Sequence, residues 1–279
     1  MISIIISSYQ SHYFEQVSQS IKATIGDIPY EIIQIWNPNL MGMCEAYNKG
    51  AEQAQYQILC FVHEDVEFVT QDWGRIVCEY FEKIDNLGAL GVSGGFKTRM
   101  VTGWGSGIPG WDHMHILHGE SLIKAFSEES IEVNTLDGVI IFTRKKVWSE
   151  VLFDKFIPGF HLYDIDYTYR VSKQYKVLVI GCLLLKHYSS GNFGKDWINA
   201  VIRYHRKKNI FSDISLNKHQ KSQIRKFYYG FIQPGMYEMS LYYKLKYLFA
   251  LGVDKDSLKC AIGFLFIRYW HKFRCFIKK

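Results

Sequence analysis

Acidic and imidazole side chains stand at four places in this chain where an apolar strand gives out or a helix starts. The first is His63-Glu64-Asp65, directly after the apolar run Ile58–Val62. Acids where a buried strand emerges are expensive unless they are paired or coordinate a cation. In parallel α/β sheets the carboxyl ends of strands are where ligands bind. The competing reading is a surface acidic turn. The second place is Asp137-Gly138, which interrupts a strand-like run over Val133–Phe142. The third is Phe160-His161-Leu162-Tyr163-Asp164-Ile165-Asp166-Tyr167-Thr168-Tyr169-Arg170, where the pattern turns helical from Leu162. Asp164 falls in the first turn, which the helix macrodipole favours, and an acidic first turn with no further role is the alternative. A carboxylate partly desolvated beneath Phe160, Tyr163 and Tyr167 would have its pKa raised. Asp166 and Arg170, four apart, pair with each other and support the loop. The fourth place is His187-Tyr188-Ser189-Ser190-Gly191, at the end of the strand-like Lys176–Leu185. A satisfied histidine at a strand end is the other reading of His187.

These residues need a scaffold, and the pattern supplies one. Ile2–Ser8 is isoleucine-rich with little alternation, as a strand covered on both faces should be. Phe14–Thr24 has helical spacing, Glu31–Trp36 is a second strand, Met43–Ala54 a second helix, and Ile58–Val62 a third strand. This βαβαβ alternation predicts a parallel sheet with right-handed crossovers. Asp72–Ile84 reads as a helix capped by Asp72, Leu87–Gly95 as a strand, and Arg144–Val151 as a helix. Residues 96–120 carry Gly103, Gly105, Gly107, Gly110, two tryptophans, His113, His115 and His118, and read as a functional loop over a pocket. Three histidines on a loop are a weak metal signal, with surface or strand positions as the alternative. Trp197–Lys208 and the basic, aromatic stretches 218–231 and 238–279 have helical spacing.

Composition narrows the classes. A chain of 279 residues with 48% hydrophobic content supports one large α/β domain or a domain with an appendage. No segment approaches the roughly 18–20 consecutive apolar residues of a membrane span. The start, MISIIISSYQ, has neither a basic n-region nor a small-residue cleavage site and reads as a first strand. Six cysteines without a CxxC pair then read as free thiols in a reducing cytoplasm. The net charge of +6 hides an asymmetry: residues 201–279 hold 17 Lys/Arg against 4 Asp/Glu, whereas residues 1–200 hold 16 against 23. A basic tail on an acidic body should face something anionic. No G-x-G-x-x-G lies between a strand and a helix and no P-loop is present, so neither dinucleotide binding nor P-loop chemistry is supported. No recognition motif for nucleic acid accompanies the charge.

Taken in order, Ile32–Ala54 with Asn37, Gly42, Ala46, Asn48 and Gly50, then Phe61–Val66, then Asp137-Gly138 through Asp166, then His187–Gly191, resemble the inverting family-2-like glycosyltransferases of the GT-A fold. In particular they look like a bacterial subgroup that writes H-x-D-V for the acidic D-x-D motif. The resemblance covers about residues 1–200 and implies a Rossmann-like mixed central sheet flanked by helices, with a basic helical C-terminal appendage. It implies a nucleotide-binding half over 1–95, an acceptor half over 96–200 and a tail over 201–279. It also implies Mn²⁺ or Mg²⁺ on Asp65 and His187, since a nucleotide-diphosphate leaving group needs positive charge at the pyrophosphate. His63 stands where the usual motif has its first Asp, so the site carries less charge. Asp164 is implied as the general base that takes the proton of the acceptor hydroxyl, with Tyr163 in place of the usual preceding Glu. Ser7, Tyr9, Asn37, Asn48 and Glu64 are implied at the nucleotide, and Asp137, Gly138, His161 and Asp166 at donor sugar or acceptor.

The function implied is transfer of a sugar from a UDP-sugar to a hydroxyl of a growing, lipid-linked bacterial surface glycan, in the cytoplasm or at the inner face of the plasma membrane. Two readings of the tail stay open. One is an interfacial element with Lys/Arg at anionic headgroups and Trp270, Phe273 and Phe276 dipping inward. The other is a helical hairpin packed on the body or on a second subunit. Two alternative functions also stand. One is a glycan- or nucleotide-sugar-binding domain that has lost catalysis, motivated by His63 and Tyr163. The other is a nucleotidyltransferase, which wants a Gly-rich basic loop where Ser7-Ser8-Tyr9-Gln10 stands.

Overall fold

The computed structural model describes residues 1–96, 110–119, 121–124 and 129–189, and beyond these the positions 196–197, 199–200, 203–204, 217–220, 245, 255, 258–259, 262–263 and 266. By contacts the chain divides into two units, Met1–Lys97 with Thr102–Gly191, and Thr98–Val101 with Asn192–Lys279. In the first unit the order is β1 (Ile2–Ser8), α1 (Ser11–Thr24), β2 (Tyr30–Trp36), α2 (Met43–Gln53), β3 (Ile58–Val62), β4 (Val66–Phe68), α3 (Trp73–Lys83), β5 (Leu87–Gly91) and β6 (Ser93–Gly95). It continues with β7 (Asp112–His118), β8 (Ser121–Lys124), β9 (Ser130–Val133), β10 (Thr135–Leu136), β11 (Ile140–Arg144), α4 (Lys145–Val151), α5 (Tyr163–Val171), β12 (Lys176–Ile180) and β13 (Leu185–His187).

The apolar strands build a seven-stranded sheet in the order β2-β1-β3-β11-β5-β12-β9. The expected βαβαβ unit is there: β1 runs parallel to both β2 and β3. Beyond it the sheet is mixed, because β11 lies antiparallel between β3 and β5, and β9 antiparallel to β12. β3 and β5 are buried along their whole length, and Ile2, Ile4, Ile5 and Ile6 of β1 are fully buried, which is why these strands lack polar alternation. Gly50 lets α2 lie directly on β1; a Cβ there would stand 2.3 Å from Ile5 Cγ2.

A second sheet has the order β10-β6-β7-β13-β4, with β8 on the edge of β7, and its strands β4, β6 and β13 follow β3, β5 and β12 along the chain. Here the structure departs from the expectations above. Leu87–Gly95 is two strands, one per sheet, with Val92 at the switch; Lys176–Leu185 likewise splits into β12 and the start of β13. The run Val133–Phe142 is shared among β9, β10 and β11. Within 96–120, residues 112–118 are a strand rather than a loop, paired with β6, β8 and β13. Asp72 does precede α3, but in the left-handed region (φ 55°) and with no side-chain capping bond. Past residue 191 the described positions are helical at 196–197, 199–200, 203–204, 218–220, 245, 255, 258–259, 262–263 and 266. The tail aromatics Trp270, Phe273 and Phe276, and Ser190-Gly191 of the late histidine stretch, lie outside the described residues.

Candidate active site

β3 ends at Val62 and β4 begins at Val66, so His63, Glu64 and Asp65 form the turn between the two sheets. The main chain fixes this turn from two sides: His63 N–H donates to Val139 O (3.2 Å), and Tyr188 N–H donates to Asp65 O (3.0 Å). β13 pairs antiparallel with β4, placing His187 opposite Val66, and parallel with β7, placing His187 opposite His118. The two pairings carry His187 to Asp65. Its Nε2 lies 3.4 Å from Asp65 Oδ1, and His63 Nδ1 lies 3.9 Å from the same oxygen. His63, Asp65 and His187 each offer a ligand atom within 4.8 Å of the others. Asp65 and His187 were the expected cation ligands. His63 was read as a loss of charge, and the structure brings its ring beside the other two as a third candidate donor; its position two residues before Asp65 was the available signal.

The electrostatics suit a cation. Burial lowers the His63 pKa to about 4, with nearby His187 adding to this and Asp65 opposing it, so the ring is neutral and carries a lone pair at ordinary pH. Burial alone would raise Asp65, but His187, His63 and the Ser189 hydroxyl outweigh it and hold the carboxyl well below the usual range. Two imidazoles and one carboxylate fit a divalent transition ion better than Mg²⁺, which prefers an all-oxygen shell.

Asp164 is in the first turn of α5, with Leu162 at the N-cap in the left-handed region. Its Oδ2 accepts the Gly138 N–H at 2.8 Å. Burial, then the nearby Asp137 carboxylate, push its pKa up to about 7 against the pull of backbone N–H groups from Ile165 and Gly138. Asp137 is itself raised by burial, with the Val139 N–H (2.8 Å) and His187 acting against the rise. A carboxyl that titrates near neutrality is suited to act as a general base. Tyr163 connects this carboxyl's surroundings to the cluster of His63, Asp65 and His187. Its hydroxyl donates to Gly138 O (3.2 Å) and lies 2.8 Å from His63 Nε2. Gly138 has to be glycine for this: a Cβ there would stand 2.0 Å from the Tyr163 hydroxyl oxygen.

Several expected residues have partners within the fold. Glu64 accepts the backbone N–H groups of Tyr9 and Gln10, both at 3.1 Å, and so ties the turn to the end of β1. Burial raises its pKa and these two bonds oppose the rise. Tyr9 is 54% exposed, just past β1. Asn37 was expected at the nucleotide; it is 1% exposed and closes the loop after β2, donating to Ser7 Oγ (3.3 Å) and Met41 O (3.0 Å) and accepting Met41 N–H (2.9 Å). Asn48 was expected at the nucleotide. Its amide instead clamps the end of α4, accepting from Trp148 Nε1 and Phe153 N–H (both 3.0 Å) and donating to Phe153 O (2.8 Å). Asp166, expected at donor or acceptor, is fully buried and takes Arg170 Nε at 2.7 Å, while the same guanidinium donates to Val151 O and Leu152 O. Its pairing with Arg170 is the one read from their spacing. His161 lies half-buried just before α5.

Comparisons with known proteins follow this geometry. The sequence model of the Glycosyltransferase like family matches residues 3–222. No curated protein matches the chain. Among solved structures, S. aureus TarS 1-349 is similar with a TM-score of 0.54 at 14% identity, over 93% of this chain and 80% of that one. The same protein in complex with UDP-GlcNAc gives 0.52 at 15%, over 93% and 81%. GalNAc-T7 with UDP, GalNAc and Mn²⁺ gives 0.52 at 11%, over 88% of this chain and 57% of that one.

Proposed function

Since this chain belongs to the glycosyltransferase-like family and is a glycosyltransferase of GT-A fold, we propose that it is a metal-dependent, inverting enzyme. It moves a sugar from a UDP-sugar to a hydroxyl of a growing, lipid-linked bacterial surface glycan. The observation that carries this reading is the convergence of Asp65, His187 and His63, with Asp164 joined to the same turn through Gly138 and Tyr163. That TarS was solved with UDP-GlcNAc and GalNAc-T7 with UDP and Mn²⁺ supports a UDP-sugar donor and manganese.

In this reading Asp65, His187 and His63 hold the divalent cation, which supplies positive charge to the diphosphate leaving group. Asp164 accepts the proton of the acceptor hydroxyl as that oxygen attacks the anomeric carbon. The bond from that carbon to the diphosphate breaks on the opposite face, UDP leaves, and the configuration inverts. Asp137 keeps the Asp164 proton affinity high enough for the transfer. Ser7 and the exposed Tyr9 flank the nucleoside, and Glu64 positions Tyr9 through the backbone. Residues 1–95 serve the nucleotide, 96–200 the acceptor, and 201–279 form the basic appendage.

The appendage rests on an anionic membrane surface beside a lipid-linked acceptor. Among the described residues no helix is long and apolar enough to cross a membrane. Leu258, Ile262 and Phe266 recur every fourth helical position and are 48%, 53% and 72% exposed, with Lys255 exposed before them and Lys259 exposed among them. An apolar stripe edged by lysines suits an interfacial helix. The experiment is a panel of nucleotide sugars incubated with the full chain and Mn²⁺, with free nucleotide as readout. UDP release from one UDP-sugar, lost on chelation and restored by Mn²⁺, is expected. Metal-independent release, or none from any donor together with no Mn²⁺-dependent UDP binding by calorimetry, refutes it.

A further inference from the structure

We propose that Tyr163 is a positioning residue that fixes the tautomer of His63 and thereby makes His63 Nδ1 a third protein ligand to the cation at Asp65 and His187. This rests on the metal reading above and adds to it a named device.

Tyr163 has one O–H to give. The Gly138 carbonyl, 3.2 Å away, can only accept. When the phenol donates there, its oxygen is left to accept, and the partner at 2.8 Å is His63 Nε2. In that arrangement His63 carries its proton on Nε2, with the Tyr47 hydroxyl as the phenol's other hydrogen-bonding neighbour. Its Nδ1 becomes a lone pair facing Asp65 Oδ1 at 3.9 Å, with the His187 ring centroid 5.7 Å from its own. Two acceptors set face to face repel unless a cation lies between them, which is the arrangement a metal ligand requires. Metal-binding histidines commonly have the other ring nitrogen held in this way, and the outer partner sets tautomer and ring orientation.

The phenol cannot easily move away. Tyr163 is 4% exposed, and its ring meets Tyr47 edge-on at 5.5 Å and Phe153 at 6.2 Å. Gly138 leaves room for the hydroxyl and no more. The residue that orients His63 is therefore held by the same glycine whose N–H holds Asp164.

The test uses the full chain with UDP and Mn²⁺, titrated by calorimetry. Tyr163→Phe keeps the ring and removes the hydroxyl. It should weaken Mn²⁺ binding by about 10–100-fold. A carboxylate at position 63 has no tautomer to fix. Placed on His63→Asp, Tyr163→Phe should therefore change Mn²⁺ affinity by less than about twofold, a non-additivity that general loosening of the fold does not produce. Asp65→Asn is the control. If it leaves Mn²⁺ binding intact, the metal reading itself fails. If it abolishes binding while Tyr163→Phe costs the same in both backgrounds, or nothing in either, the metal reading stands and the role of Tyr163 is overturned. A second measurement needs no Tyr163 variant: imidazole ¹⁵N–¹H correlation spectra of the metal-free protein, with His63 assigned from His63→Asp. An Nε2-protonated His63 is expected; an Nδ1-protonated one overturns the proposal.

Discussion

Asp164→Asn should damage catalysis and strengthen the fold at the same time, and pH separates the two effects. The amide oxygen can still accept the Gly138 N–H now bonded at 2.8 Å, so the start of α5 keeps its anchor. Removing a general base lowers turnover by about 10²–10⁴-fold, equivalent to about 3–5 kcal/mol of transition-state stabilisation. Stability moves the other way. The folded pKa of Asp164 is about 7 against an ordinary 3.8, so the folded protein binds the proton more tightly than the unfolded chain. The stability contributed by the protonated carboxyl is fully present below 3.8 and is lost as pH rises towards 7. At 1.36 kcal/mol per pH unit that gap is on the order of 4 kcal/mol for a fully buried group, and about 1–3 kcal/mol for this half-buried one. Asparagine carries no such charge. Thermal melts should therefore show Asp164→Asn above wild type at pH 8 and level with it near pH 4. Wild-type UDP release should fall about tenfold per unit of pH below about 7 and plateau above it. Wild-type turnover in the variant, or a variant no more stable than wild type at pH 8, refutes the assignment.

Three further substitutions test the surrounding frame. Gly138→Ala places a methyl 2.0 Å from the Tyr163 hydroxyl oxygen and 3.2 Å from Asp164 Cβ; it should cost about 1–3 kcal/mol in thermal unfolding and weaken Mn²⁺ binding by calorimetry. Asp166→Ala leaves Arg170 without its buried carboxylate, and denaturant titration should show a loss of about 3–5 kcal/mol with UDP affinity of the folded protein unchanged. Asn48→Ala strands the Trp148 indole N–H and the Phe153 N–H; it should cost about 1–3 kcal/mol and leave the UDP dissociation constant alone. Loss of UDP affinity at unchanged melting temperature would return Asn48 to the nucleotide.

How far the sequence could be read depended on whether the signal was local. The βαβαβ start was legible because β1 and β3 are continuous apolar strands of one sheet. The pairing of Asp166 with Arg170 follows from four-residue spacing on one helix. The small sheet was not legible: β6 and β13 continue from β5 and β12 after a turn into another layer, and a change of layer leaves no period in the pattern. Residues 112–118 hid among glycine, tryptophan and histidine, and are a strand because β6, β8 and β13 flank them. The Asn48 amide finds its partner 105 residues away, which composition cannot indicate. His63 and Tyr163 were each read as a separate departure from the family pattern. They are 100 residues apart in sequence and in contact, so only the folded chain shows that one answers the other.

The ladder between β4 and β13 also bears on the order in which the molecule assembles. It is three residue pairs long, and Glu67 and Tyr188 at its side are 121 positions apart along the chain. Joining such distant segments gives up much chain entropy for few contacts, so it follows the formation of the large sheet and does not lead it. A polypeptide still leaving the ribosome with β12 just emerged has His63 and Asp65 in hand and lacks His187. A cation held by these three residues would therefore be captured only once the body is built, and would act as a late fastener that reports complete folding.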